Sequence, residues 1–195
     1  MTTISCLPEE MADLPGSDVR FDLYSNSRIS SRGRVGDLVP GRRRRQGLRP
    51  SAVAWDFSSF ALSAVAADEA VSRERSPDGW TREIELTLAV TDPDLWKTQQ
   101  GRLTEALRFL SGDIWSLDFI GHGIVPSGRG KERVRSEDLV CLLSGGMDSL
   151  VGAIDVVNEG HTPLFVSQIA KGDSDTQKWF ARSISPTSLH LQVNH

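Results

Sequence analysis

Residues 139–152 read LVCLLSGGMDSLVG, and this stretch decides the fold. The apolar run 139–143 has the length of a buried strand, 144–149 is a Ser/Gly-rich turn, and a helix is expected over 148–158. The same alternation continues downstream, with a strand at 163–166, a helix at 175–183 and a strand at 189–193. Strands separated by helices imply right-handed crossovers and a parallel sheet. The expected class is therefore α/β, with the beginning of a doubly wound parallel sheet at the C-terminal end of the chain.

In a parallel sheet, ligands bind beyond the carboxyl ends of the strands, where the turn from a first strand into a first helix lies. Gly145 and Gly146 lack a Cβ, so the backbone there can bend sharply and direct consecutive N–H groups at phosphate oxygens. The hydroxyls of Ser144 and Ser149 add donors, and the helix that follows aims the positive end of its dipole at the same point. Asp148 fits an anion site once a divalent cation is included, because Mg²⁺ usually takes one or two carboxylates together with phosphate oxygens. An acid inside the loop thus favours a nucleoside triphosphate over simple phosphate. A Gly-rich turn in which Ser144 or Asp148 merely caps the helix is the plainer alternative.

Competing motifs fail. Gly130 and Lys131 are followed by Glu132, so GxxxxGK[ST] is absent. Leu142 stands where a nucleophile elbow needs glycine before Ser144. A dinucleotide fingerprint needs GxGxxG, and the chain offers only the adjacent pair Gly145 and Gly146.

The stretch resembles the SGGxDS signature of the PP-loop ATP pyrophosphatases, which have an adenine nucleotide alpha hydrolase-like fold. Within that family its style is similar to the 7-cyano-7-deazaguanine synthase (QueC)-like branch. The N-terminal segments AWDFSSFALSAVAAD, WTREIELTLAV, DPDLWK and LRFLSGDIWSLDF resemble the domain that precedes this loop in QueC-like proteins of the Qat anti-phage defence system. The resemblance implies an AMP-forming enzyme of ligase type. Such enzymes cleave ATP between the α and β phosphates, adenylate a substrate oxygen, commonly a carboxylate, and release pyrophosphate. Carried over by position, Ser144, Gly145, Gly146 and Ser149 would cradle pyrophosphate, Asp148 would face Mg²⁺, and Met147 is the variable place. Adenine would lie near Leu143 and residues 166–167. The other subunits of a defence system would be its partners. Two departures stand out. The only cysteines, Cys6 and Cys141, cannot form the synthase's zinc cluster, so zinc would require cysteines beyond His195. VSQIAKGDSDTQ offers only Gln168 in place of an aromatic-Gly-Gln signature, which counts against a deazapurine substrate.

Upstream, residues 1–16 read as an irregular arm punctuated by Pro8, Pro15 and Gly16. A strand is expected over 18–24, a loop or hairpin over 25–50, a helix buried nearly all round over 51–72, and a strand over 80–90. A helix beginning at Asp92–Pro93–Asp94 should end at Gly112, with a strand following over 114–120. Residues 17–125 then form an α+β layer on an antiparallel or mixed sheet, and 126–136 a linker. The run of four arginines, 42–45, can grip phosphate, although such runs are more often solvated loop. Trp55, Trp80, Trp96 and Trp115 should be core, His122 a turn residue and Lys171 a solvated loop residue.

The 195 residues carry a net charge of −4, which argues against direct nucleic-acid or acidic-membrane binding. No run reaches ~18–20 apolar residues, no signal-peptide pattern is present, and two cysteines suit the cytoplasm. Three strands after Glu137 fall short of the mean sheet of about 5–6, so the chain is expected to be the leading piece of a longer enzyme. The alternatives are a non-catalytic ATP-binding or scaffold subunit, and an inactive truncated fragment.

Overall fold

The computed structural model describes residues 1–25, 32–125, 136–169, 172 and 174–193, leaving out the side chains of 42, 46 and 75. The chain divides into two compact units, Met1–Arg133 and Val134–His195. The expected linker, apart from Ser136, and Lys171 lie outside the described residues.

The first unit is built on five strands: β1 (Thr2–Pro8), β2 (Val19–Leu23), β3 (Gly33–Val35), β4 (Glu83–Ala89) and β5 (Ile114–Ile120). They run in the order β3-β2-β1-β4-β5, with every pairing parallel. This corrects two expectations. Residues 1–16 are not simply an arm, because Thr2–Pro8 is the central strand. The layer is parallel α/β, not an antiparallel or mixed α+β arrangement. The prolines and acids of 8–15 signal only the loop after the strand. Ile4 and Cys6 face the helices while Ser5 and Leu7 face away, and all four are buried.

Helices α1 (Val39–Gln46) and α2 (Ala52–Ala70) connect β3 to β4, and α3 (Pro93–Ser111) connects β4 to β5. The arginine run therefore sits in α1 and not in a loop, and Arg43 stacks 5.6 Å from the ring of Trp55. Ser51 caps α2 by accepting from the Ala54 N–H, and Asp92 caps α3 by accepting from that of Leu95. Both helices pack on one face of the sheet, where Trp55, Phe60 and Trp96 meet Leu86, Leu88, Trp115 and Phe119. The buried stripe of α2 includes Asp56, Ser59 and Ser63, while Val53, Phe57 and Val65 are exposed, so this helix is not buried all round. Trp80 is not core either: it is 69% exposed, with the Arg73 guanidinium over its ring. His122 has the positive φ of a tight turn, 76°. Gly123 follows it with its backbone against Val90 and Thr91, just past β4; a Cβ there would come within 2.2 Å of the Val90 carbonyl carbon.

Two buried carboxylates pin the ends of this layer. Asp56 accepts from the Thr91 N–H, the Thr91 hydroxyl and the Trp96 indole N–H, and so fixes the turn from β4 into α3. At the opposite end of the sheet, Asp113 accepts from both terminal nitrogens of Arg73. It also accepts from the backbone N–H, Nε and Nη2 of Arg82. Burial pushes the Asp113 carboxyl up, but the hydrogen bonds and charges of Arg82 and Arg73 outweigh it and hold the group below the usual carboxylate range.

The second unit has three parallel strands, β6 (Leu139–Leu142), β7 (Pro163–Gln168) and β8 (His190–Val193), in that order. Helices α4 (Met147–Asn158) and α5 (Ser174–Ile184) make the crossovers. They pack on one another and on a single face, where Leu143, Phe165, Ala153 and Ala181 form the core. Within this unit the sheet is therefore wound on one side only. The other face carries Val140, Leu142, Leu164, Val166, Leu191 and Val193. Val140 is 61% exposed and Leu142 73%.

Candidate phosphate-binding loop

Residues 144–149 leave the C-terminal end of β6 and enter α4, as the strand-to-helix reading requires. Gly145 makes the bend with φ 98°, a left-handed conformation open to glycine at little cost. Gly146 is the N-cap of α4 and supplies no side-chain cap. The N–H groups of Met147, Asp148 and Ser149 open the helix without intrahelical acceptors, since the first helical bond is Leu150 N–H to the Gly146 carbonyl. Ser144, Gly146, Met147 and Asp148 are exposed, so these donors stand at a surface where an anion can reach them.

The two serines close the bend. Ser149 Oγ donates to the Gly146 carbonyl at 2.9 Å and accepts from the Ser144 N–H at 3.2 Å and the Ser144 hydroxyl at 3.0 Å. Ser144 Oγ in turn accepts from the Gly146 N–H at 3.3 Å. Both hydroxyls are thus engaged within the loop itself, and using them on a ligand means exchanging these bonds. Asp148 lies in the first turn of α4, a favourable place for a carboxylate beside the helix dipole. Among the described residues no group of three or more His, Cys, Asp or Glu side chains is placed to hold a metal. Cys6 and Cys141 are both free thiols, and they lie in different units.

The carbonyls at the start of the loop are supported by side chains whose supporting role the sequence reading did not foresee. Gln177 of α5 is fully buried, and its amide donates to the Ser144 carbonyl and to the Gln168 carbonyl, each at 2.9 Å. Its oxygen accepts from Gln192 Nε2 of β8 at 3.1 Å. Ser167 of β7 donates to the Leu143 carbonyl, and His190 Nε2 lies 2.8 Å from the same Ser167 oxygen. The two carbonyls at the start of the loop are therefore each held by a side chain that is itself held from β8. The signal for Gln177 was a polar residue in the same helical stripe as Ala181 and Ile184, a pattern that marks a buried hydrogen-bonding role. Leu143 is 0% and Ser167 2% exposed, so these two side chains, expected to lie against adenine, offer no surface to a base.

Comparison with known protein families, curated proteins and solved structures finds no match to this chain. No helix among the described residues is long and apolar enough to cross a membrane.

Proposed function

We propose that the second unit binds ATP with its phosphates against residues 144–149. The chain would be the nucleotide-binding part of an AMP-forming ATP pyrophosphatase of QueC-like type. The observation that carries this reading is the uncapped start of α4, reached through left-handed Gly145 and exposed at the C-terminal end of a parallel strand. Backbone donors fixed in this way stabilise charge without reorganising, which is what phosphate chemistry asks of a protein. Asp148 is the residue that would hold Mg²⁺, and one carboxylate suffices where phosphate oxygens fill further positions. The ion would supply neutralisation of the phosphate charge.

In the proposed reaction an acceptor carboxylate oxygen attacks the α-phosphorus. The bond from that phosphorus to the α,β-bridging oxygen breaks, and its electron pair leaves with pyrophosphate. A nitrogen or sulfur nucleophile then displaces AMP from the acyl adenylate. The role of the chain is to bind and orient; Gln177 and Ser167 keep the loop carbonyls turned away from the phosphates by occupying them. The likeness of the N-terminal segments is what supports a setting in cytoplasmic anti-phage defence with partner subunits.

The test is Mg·ATP affinity and pyrophosphate release, measured for the wild type and for Asp148→Ala. A loss of at least tenfold in affinity, about 1.4 kcal/mol, is expected for the variant. Tight binding without any α–β cleavage, with acceptors supplied, would establish a non-catalytic ATP-binding subunit instead. Absence of Mg·ATP binding by the wild type would remove the proposal.

A further inference from the structure

Beside the outer edge of the second unit lies a cavity of about 310 Å³, walled by α5, the turn after it, and β8. Lys178 and Arg182 share one stripe of α5 at i, i+4 spacing, Ser185 follows just past the end of the helix, and His190 and Gln192 alternate on the strand opposite. Ser188 completes the wall. The described lining contains two cationic side chains and no carboxylate. Lys178 has an exposed ion pair with Asp175 at 3.3 Å. Arg182 has no acidic partner among the described residues, and a free guanidinium presents a planar fork suited to oxyanions.

The hydroxyls and the imidazole also have vacant capacity. Ser188 Oγ donates to Ser185 Oγ at 2.8 Å, which leaves the hydrogen of Ser185 available to an acceptor in the cavity. Ser167 spends its single hydrogen on the Leu143 carbonyl, so its contact with His190 requires His190 Nε2 to be the donor. Neutral His190 therefore carries its proton on Nε2, and Nδ1 is an acceptor with no partner among the described residues. Burial, and secondarily the charge of Lys178, lower the pKa of His190, which keeps that acceptor present at neutral pH.

We propose that this cavity is a binding site for a phosphate monoester group, distinct from the 144–149 loop and independent of whether that loop binds a nucleotide. Arg182 and Lys178 balance the negative charge, Ser185 donates to one oxygen, and in the monoanion His190 Nδ1 accepts from the oxygen that carries the proton. A phosphate monoester is partly protonated near neutral pH, with its second pKa near 6; sulfate is not and leaves Nδ1 unmatched. The site is wired to the loop through the two contacts described above. His190 reaches the Leu143 carbonyl through Ser167, and Gln192 reaches the Ser144 carbonyl through Gln177.

Titration of the full chain with inorganic phosphate, followed by two-dimensional amide and imidazole NMR, tests the assignment. Saturable shifts are expected at the Ser185 and Ser188 amides and the His190 ring. Affinity should fall at least tenfold in Arg182→Gln, an exposed position at which the fold is not at risk, and stay within twofold in Ser149→Ala, which separates this cavity from the loop. Sulfate should bind several-fold more weakly than phosphate. The proposal is overturned if phosphate moves only loop amides, if Arg182→Gln binds as tightly as the wild type, or if sulfate equals phosphate.

Discussion

Replacing Asp113 by alanine should be the most damaging single change in the first unit. Asp113 is 0% exposed and accepts five hydrogen bonds, two from Arg73 and three from Arg82, whose side chain is itself 6% exposed. The variant leaves Arg82 inside the fold with only the Asp68 carboxylate, 49% exposed, and the Asp68 and Val71 carbonyls as partners. Removing one partner from a buried ion pair costs about 3–5 kcal/mol. At roughly 3–4 °C per kcal/mol for a unit between the small and medium size classes, the melting temperature should fall by about 10–20 °C. Thermal unfolding followed by tryptophan fluorescence, to which buried Trp55, Trp96 and Trp115 of this unit contribute, reads this. Because the folded pKa of Asp113 lies below its unfolded value, its contribution is complete above the unfolded pKa near 3.9 and is lost as pH falls through the folded pKa. The wild type should therefore lose stability below about pH 4 more steeply than the variant. A second variant, Arg82→Met with Asp113→Leu, removes both charges and should recover most of the loss. A shift smaller than about 3 °C for Asp113→Ala would refute the claim that this network holds the lower end of the sheet.

Two further outcomes are expected. Gln177→Leu takes the Gln177 amide away from the Ser144 and Gln168 carbonyls, and a buried group left unsatisfied costs about 1–3 kcal/mol. Amide exchange over residues 144–149 should accelerate at least tenfold, while exchange within β4 and β5 stays as it was. His161 is hydrogen bonded through Nδ1 to Asp138 at 2.9 Å, and this contact raises its pKa above the ordinary 6.5. The pairing therefore favours the fold below the unfolded pKa and is lost as pH rises through the folded one. In an NMR titration the His161 midpoint should drop in Asp138→Asn, and an unchanged midpoint would show that the contact does not form.

Where the chain obeys one periodicity, the sequence was enough. Ile84, Leu86 and Leu88 alternate on β4, Trp115, Leu117 and Phe119 on β5, and the Asp92 and Gly112 signals bound α3 to the residue. The order of elements around residues 144–149 was equally legible, because a strand, a pair of glycines and a helix leave little choice. β1 was hidden for a physical reason. A central strand of a parallel sheet is buried on both faces, so TISCLP shows no clean alternation, and its small polar residues imitate a loop. The direction of the first sheet was missed with it, since the central partner of both β2 and β4 had been left out. Trp80 was misplaced because an exposed indole under an arginine has the same sequence signature as a core one. At the loop, the backbone features were readable and the support was not. That Ser167 reaches the Leu143 carbonyl with His190 behind it, and Gln177 the Ser144 carbonyl with Gln192 behind it, depends on how β7, α5 and β8 come together, which local sequence does not encode.

The sides of the two sheets turned away from their helices have opposite character at the surface. In the first unit that side shows Thr3, Glu83, Glu85, Ser116 and Asp118 near the surface, which water wets readily. In the second it is valine and leucine, with Gln168 at the end of β7 the one polar residue among the paired positions. Expressed separately, a piece ending at residue 133 should stay monodisperse on a sizing column. A piece starting at 134 should bind hydrophobic dyes and come off as aggregate, so any assay of the loop is best run on the intact polypeptide.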